Sequence, residues 1–140
     1  MDPSFGHVVL AESHPAMLEG IRRLIETVTE TAIMVADEPS LIQAIHKIRP
    51  DLVIADLSFQ VSGAANVVRL IKRDQPTIKV IAVSIHDDLT ALNEAVEAGA
   101  EGVVLKRRAA VDLIPAIRAV CQGHRYVPTV NCGDKERGGR

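Results

Sequence analysis

Aromatic side chains are nearly missing. The 140 residues include no Trp, one Tyr and two Phe, so Phe5, Phe59 and Tyr126 are the whole set. A surface that stacks unpaired bases needs several rings, and this scarcity argues against a single-strand nucleic-acid binder. An excess of one charge is also missing. Sixteen basic against eighteen acidic residues leave −2, which supplies neither the basic stripe of a DNA-binding surface nor a polybasic membrane patch. The two cysteines, Cys121 and Cys132, show no metal-ligand spacing, and a reduced, cytoplasmic protein is the expectation. No charged segment with a following apolar stretch opens the chain, and no apolar run approaches about 18 residues. Secretion and membrane insertion are therefore not expected. What remains, 47% apolar and 24% charged residues, fits one globular domain with a single core.

Short apolar runs alternate with longer amphipathic stretches. The runs are His7–Ala11, Ala32–Ala36, Leu52–Ala55, Ile78–Val83 and Gly102–Leu105. They are rich in Val and Ile and barely alternate with polar residues, as strands do when both faces of a parallel sheet are covered. Between them the period becomes helical. Met17, Ile21, Leu24, Ile25 and Val28 make one face, and Leu41, Ile42, Ile45 and Ile48 a second after Pro39. Ala64, Val67, Val68 and Ile71 make a third. Leu89, Leu92 and Val96 make a fourth, with Gly99 placed as a left-handed cap. Leu113, Ile117, Val120 and Cys121 make the fifth, ending near Gly123. Five βα units in succession imply right-handed crossovers and helices on both faces of the sheet. The expected fold is α/β, a (βα)5 doubly wound parallel five-stranded sheet. Pattern alone does not give strand order; the flavodoxin-like order 2-1-3-4-5 is the commonest at this size. The domain is expected over 1–127. The polar, Gly-rich stretch 128–140 reads as a tail or the start of a linker to a C-terminal output domain.

Open parallel sheets build their sites beyond the carboxyl ends of the strands. The runs end at Glu12-Ser13, Asp37, Asp56, Ser84 and Lys106. In the order 2-1-3-4-5, Glu12, Asp56, Ser84 and Lys106 converge on one edge. The set has a chemical logic: a carboxylate can attack phosphorus, a divalent cation offsets the charge of the phosphoryl oxygens, and a lysine acts on them as a point charge. Ser13 reads most simply as a helix cap, and His14 and His86 as turn residues rather than ligands. Asp87-Asp88 suits the start of the fourth helix.

These residues resemble the receiver domain of bacterial two-component response regulators, in particular the NarL/FixJ (LuxR-type) subfamily. "AESHPAMLEGIRRLI" is similar to the subfamily's acidic pair, His-Pro and first helix, and "RPDLVIADLSFQ" to its phosphoacceptor strand. "KVIAVSIHDD" and "EAGAEGVVLK" resemble the approaches to its Ser/Thr and Lys, and "LIPAIRAVCQGHRYV" its last helix. The likeness covers roughly residues 7–127. It implies a signalling domain rather than an enzyme, catalysing at most its own phosphorylation and dephosphorylation. Asp56 would be the phosphoacceptor, with Ser84 and Lys106 acting on the phosphoryl group. Mg2+ would be held by Glu12, Asp56 and the backbone carbonyl of Ser58. The implied partners are a histidine kinase and a second copy in a homodimer. DNA would be met only through an output domain that these 140 residues do not contain, and transcription would be the process regulated.

Three departures from that pattern stand out. Ser13 occupies the place of the acid that ligates the metal directly, and a hydroxyl lacks its charge, so Mg2+ binding is expected to be weakened. The loop "DLSFQVSG" lacks the usual proline, and Val103 stands where an aromatic is common. Two readings follow: a phosphorylatable receiver, or a pseudo-receiver that works as a phosphorylation-independent interaction module. A flavin-binding enzyme of similar fold is disfavoured, because "ESHPA" stands where a Gly-rich phosphate loop would follow the first strand.

Overall fold

Runs of Val and Ile that scarcely alternate can be buried on both sides, and the chain uses them so. The computed structural model describes residues 6–86 and 88–128. Its strands are β1 (His7–Ala11), β2 (Thr31–Val35), β3 (Leu52–Asp56), β4 (Lys79–Ser84) and β5 (Gly102–Leu105). The helices are α1 (Pro15–Ile25), α2 (Glu38–Ile48), α3 (Val67–Asp74), α4 (Leu89–Glu97) and α5 (Ala109–Cys121), and a 3-10 turn, Lys106–Arg108, joins β5 to α5. All strand pairings are parallel and the order is β2-β1-β3-β4-β5.

Alternate residues of each strand face opposite layers. Val9, Val53, Val80 and Val103 join the apolar residues of α2, α3 and α4 in one core. Val8, Ile54, Ile81 and Val104 meet α1 and α5 in the other. The expected limits move by one residue at three strands. β2 begins at Thr31, β3 gains Asp56, and β4 starts after Ile78, whose N–H turns back to the Gln75 carbonyl at 3.2 Å. Asp56 and Ser84 therefore lie inside the ladder, opposite Val83 and Leu105.

Two helices are shorter than their apolar faces. α1 stops at Ile25, leaving Val28 buried beyond it. α3 begins only at Val67, after Asn66 accepts the Arg69 N–H at 3.0 Å, so Ala64 lies in the preceding loop. Asp37 and Asp88 cap α2 and α4 in the same way, accepting the N–H of Ser40 and Ala91. Asp87 and residues 129–140 lie outside the described residues, so of the expected tail only Pro128 is seen. The chain after α5 returns to β5, where the Val103 N–H donates to the Tyr126 carbonyl at 2.8 Å.

Gly99 ends α4 as the spacing suggested. With φ +110 it turns the backbone so that its own N–H reaches the Val96 carbonyl and the Ala100 N–H reaches Ala95, satisfying two helix-end acceptors. A Cβ there would be strained and 3.3 Å from Lys72 Cγ, whereas one at Gly20, within α1, meets nothing within 4 Å. Gly99→Ala should therefore cost about 1–2 kcal/mol, and Gly20→Ala should gain roughly 0.5–1 kcal/mol. Urea unfolding of the two variants beside wild type reads both signs.

Candidate functional site

Parallel strands place all their carboxyl ends on one edge, and the polar residues that end them meet there. Glu12 follows β1, Asp56 closes β3, Ser84 closes β4, and Lys106 follows β5. Glu12, Asp56 and Ser84 are at most 2% exposed. So deep a carboxyl group needs partners, because burial without them is costly.

Asp56 has several. Its Oδ2 accepts from Lys106 Nζ at 2.8 Å and from Ser58 Oγ at 3.0 Å, and its Oδ1 accepts the Ser58 N–H at 3.0 Å. Burial pushes the Asp56 pKa upward, but the Lys106 ammonium and the two Ser58 donors outweigh it and hold the carboxyl below its usual value. Glu12 folds back over its own loop, where Oε2 accepts the His14 N–H at 3.0 Å and meets His14 Nδ1 at 2.8 Å. Its Oε1 lies 3.4 Å from Lys106 Nζ and accepts no hydrogen bond. One ammonium thus stands between two carboxyl groups, and the cluster expected from the strand ends is assembled for Glu12, Asp56 and Lys106.

Two residues are placed differently. Ser84 Oγ is engaged with His86, donating to its carbonyl at 2.8 Å and accepting its N–H at 3.0 Å. Its hydroxyl closes a turn at the start of the β4–α4 loop, the local competition for backbone partners that is usual for serine. Ser13 is exposed, and the residue at the start of α1 is His14, whose side chain makes no cap bond. Ser13 therefore neither caps the helix nor joins the carboxyl groups.

Among the described residues, the group able to hold a metal is Glu12, His14 and Asp56, whose ligand atoms lie within 4.8 Å of one another. The two carboxyl groups and the unsatisfied Glu12 Oε1 fit a divalent cation that keeps several waters, as Mg2+ does. Among the described residues, the Ser58 carbonyl accepts from Gln60 Nε2, at 3.5 Å. The sequence reads His14 as a turn residue, and the structure sets its ring against Glu12. The signal was present in the spacing: "ESH" sets the ring two residues beyond Glu12, within reach of the same carboxylate. A cleft of about 540 Å³ opens over the cluster, lined by His14, Ala16, Met17, Ser58, Ile85 and Lys106. Its mouth is apolar, with Ile85 59% exposed. A larger cleft around Gly6, Pro50, Asp51 and Lys79 lies at the amino ends of the strands, away from Glu12 and Asp56.

Comparison with known proteins bears on this geometry. The family model described as the response regulator receiver domain matches residues 8–118. Transcriptional regulatory protein DegU of Brevibacillus brevis is 30% identical over 123 residues, covering 86% of this chain and 52% of that protein. Transcriptional regulatory protein RcsB of Escherichia coli (strain K12) is 28% identical over 127 residues, covering 87% and 59%. The chain thus spans little more than half the length of these curated relatives. The crystal structure of the non-phosphorylated receiver domain of RcsB from Escherichia coli superimposes with a TM-score of 0.78 at 27% identity, covering 88% of this chain and 98% of that one. The expected fold, strand order included, is the one observed.

The Lys106 contact generates a pH prediction. A carboxyl whose pKa is lowered by folding adds stability above its unfolded pKa of about 4, and that contribution is lost as the pH falls through the lowered folded value. Lys106→Ala removes the ammonium and leaves burial to act on Asp56. Stability at pH 7 should fall by about 1–3 kcal/mol, and the loss of stability on acidification that Asp56 contributes should shrink, so that the two profiles converge toward pH 3. Urea unfolding between pH 3 and 8 tests this, and an acid limb unchanged from wild type would overturn it.

Proposed function

The chain belongs to the response regulator receiver domain family, and from that membership we propose that Asp56 accepts a phosphoryl group from a histidine kinase and that the event changes dimerisation or output. The observation that carries the reading is a carboxylate 2% exposed, with Lys106 Nζ 2.8 Å from Oδ2 and an open cleft above it. Asp56 Oδ1 accepts a single hydrogen bond, from Ser58, and keeps a lone pair for attack on phosphorus. The Oδ–P bond forms as the P–N bond of the donor phosphohistidine breaks, and the leaving imidazole recovers its proton from solvent. Little covalent chemistry falls to the protein, whose task is positioning and charge stabilisation. Lys106 moves its ammonium from the carboxylate to a phosphoryl oxygen, and the apolar mouth formed by Met17 and Ile85 keeps competing water away. Mg2+, held by Glu12, Asp56 and the Ser58 carbonyl, would supply positive charge against the incoming oxygens.

Ser84 is the switch in this proposal. To bond a phosphoryl oxygen it must leave His86, which frees the turn that fixes the chain between β4 and α4. Ile85 lies in that turn and Leu89 follows it at the start of α4; they are 59% and 54% exposed and would change place with it. The signal would pass to a second copy of the chain and to a separate output domain, to which we assign DNA contact and transcriptional regulation. No described helix is long and apolar enough to cross a membrane, and we place the protein in the cytoplasm. We assign 1–127 to the receiver and 128–140 to the linker.

Ser13 favours a second reading. Exposed and outside the metal-ligand cluster, it leaves the site one acid short, and a module controlled by partner binding alone would tolerate that loss.

Intact-mass measurement after incubation with acetyl phosphate separates the two. A Mg2+-dependent gain of one phosphoryl group, lost in Asp56→Asn, is the expected result, and no gain in a folded sample would favour the interaction module. Ser13→Asp should tighten Mg2+ by about tenfold, the equivalent of one added metal contact of about 1.4 kcal/mol. Calorimetric titration reads it, and unchanged affinity would mean that Glu12 already takes the missing acid's place.

A further inference from the structure

The crevice has a nitrogen donor where a Mg2+ site would have only oxygen. His14 Nδ1 lies 2.8 Å from Glu12 Oε2 and 3.9 Å from Asp56 Oδ2. We infer that this crevice binds a divalent transition ion of the Mn2+, Co2+ or Zn2+ class, with His14 as its nitrogen ligand beside Glu12 and Asp56.

Three observations support the assignment. The first is the donor set. Mg2+ takes oxygen ligands in a strict octahedron, whereas imidazole beside carboxylates suits the first-row transition ions. The second is spacing. An ion about 2.1 Å from each of two adjacent ligands holds them about 3 Å apart. The hydrogen bond between His14 and Glu12 therefore already sets the two ligand atoms at nearly the required separation. The wider gap to Asp56 Oδ2 is short of the roughly 4.2 Å that two such bonds span end to end. The third is an unused buried atom. Glu12 Oε1 is in a side chain 0% exposed, accepts no hydrogen bond, and faces Lys106 across 3.4 Å. It is therefore turned toward the crevice and not into the apolar layers. Lys106 sets one positive charge against two carboxyl groups, and Ser13 adds no ligand charge of its own.

The inference goes beyond the Mg2+ of the phosphoacceptor reading by adding His14 as a ligand for a transition ion, and rests on that reading for the identity of the site. Preference over Mg2+ would not by itself prove the point, since most nitrogen and oxygen sites favour the later metals. Dependence on His14 is decisive. The ring is 65% exposed, so its removal leaves no cavity in the core.

The test is titration of the full chain with CoCl2, followed by the visible absorption of the bound ion, and with MgCl2 by calorimetry, with no phosphodonor present. Wild type should take up one Co2+ in a form lost in Asp56→Asn. His14→Ala should weaken Co2+ at least tenfold while changing Mg2+ by less than twofold, with its melting temperature retained. A Co2+ loss of less than tenfold in His14→Ala, or Co2+ binding unchanged in Asp56→Asn, overturns the inference. Labelling by acetyl phosphate is read separately: a protein that binds Co2+ through His14 yet takes no phosphoryl group keeps this inference and refutes the phosphoacceptor reading.

Discussion

Two carboxyl groups buried around one ammonium are the constraint on which the site depends. Removing an ion from water costs several kcal/mol after relaxation, so Glu12 and Asp56 can stay inside only while Lys106 and the loop donors stay with them. The sheet supplies the alignment. β4 lies between β3 and β5, and two strand spacings amount to about 10 Å. A lysine stem is long enough to cross that gap and meet an aspartate reaching from the far side. The crossing needs a small residue at the end of β4, and Ser84 is there. The parallel register sets Asp56 opposite Val83 and Ser84 opposite Leu105, so Lys106 comes immediately after the last paired residue. A slip of one residue in β5 would turn its side chain to the other face of the sheet.

That dependence explains what was legible in the sequence. The strands could be located because burial on both faces leaves a run of Val and Ile, and the site because parallel strands end on one side. Glu12, Asp56 and Lys106 follow from those two facts. Their neighbours do not, because short-range hydrogen bonds decide them. Periodicity carried Ala64 into the third helix, but Asn66 captures the Arg69 N–H and starts the helix later. The pattern puts Ser84 at the end of β4, where the structure has it, but the direction of its hydroxyl depends on a turn with His86 that no apolar pattern encodes. His14 looked like punctuation before Pro15, and its ring became a neighbour of Asp56 only because Glu12 bends back over the loop.

The Ser84 turn also limits how a signal could leave the site. Its hydroxyl now makes two bonds to one residue, and both must be exchanged if it is to follow a phosphoryl group. The exchange is nearly balanced in number of bonds, which suits a two-state element with a small free-energy gap. Val103 is fully buried in the core beside α4 and has no ring to swing into a vacated space. In the proposed switch any motion would therefore fall to the turn from Ser84 to His86, with the exposed apolar side chains of Ile85 in it and Leu89 after it.

Ser13 alters the site without emptying it. Direct ligation through a short acid at that position would place the negative charge beside Asp56. Here the charge belongs to Glu12, whose longer stem sits one residue earlier and has its Oε2 engaged by His14. Lys106 meets both carboxyl groups, at 2.8 and 3.4 Å, so without an ion the cluster neutralises itself in part. In the proposed site, an ion held by Glu12, His14 and Asp56 would take over that neutralising role. The ammonium would then be available to an oxygen arriving through the cleft, and on this proposal binding of the ion and acceptance of an anion would favour each other through Lys106. The coupling needs no movement of the backbone, only a change in which oxygen the lysine attends.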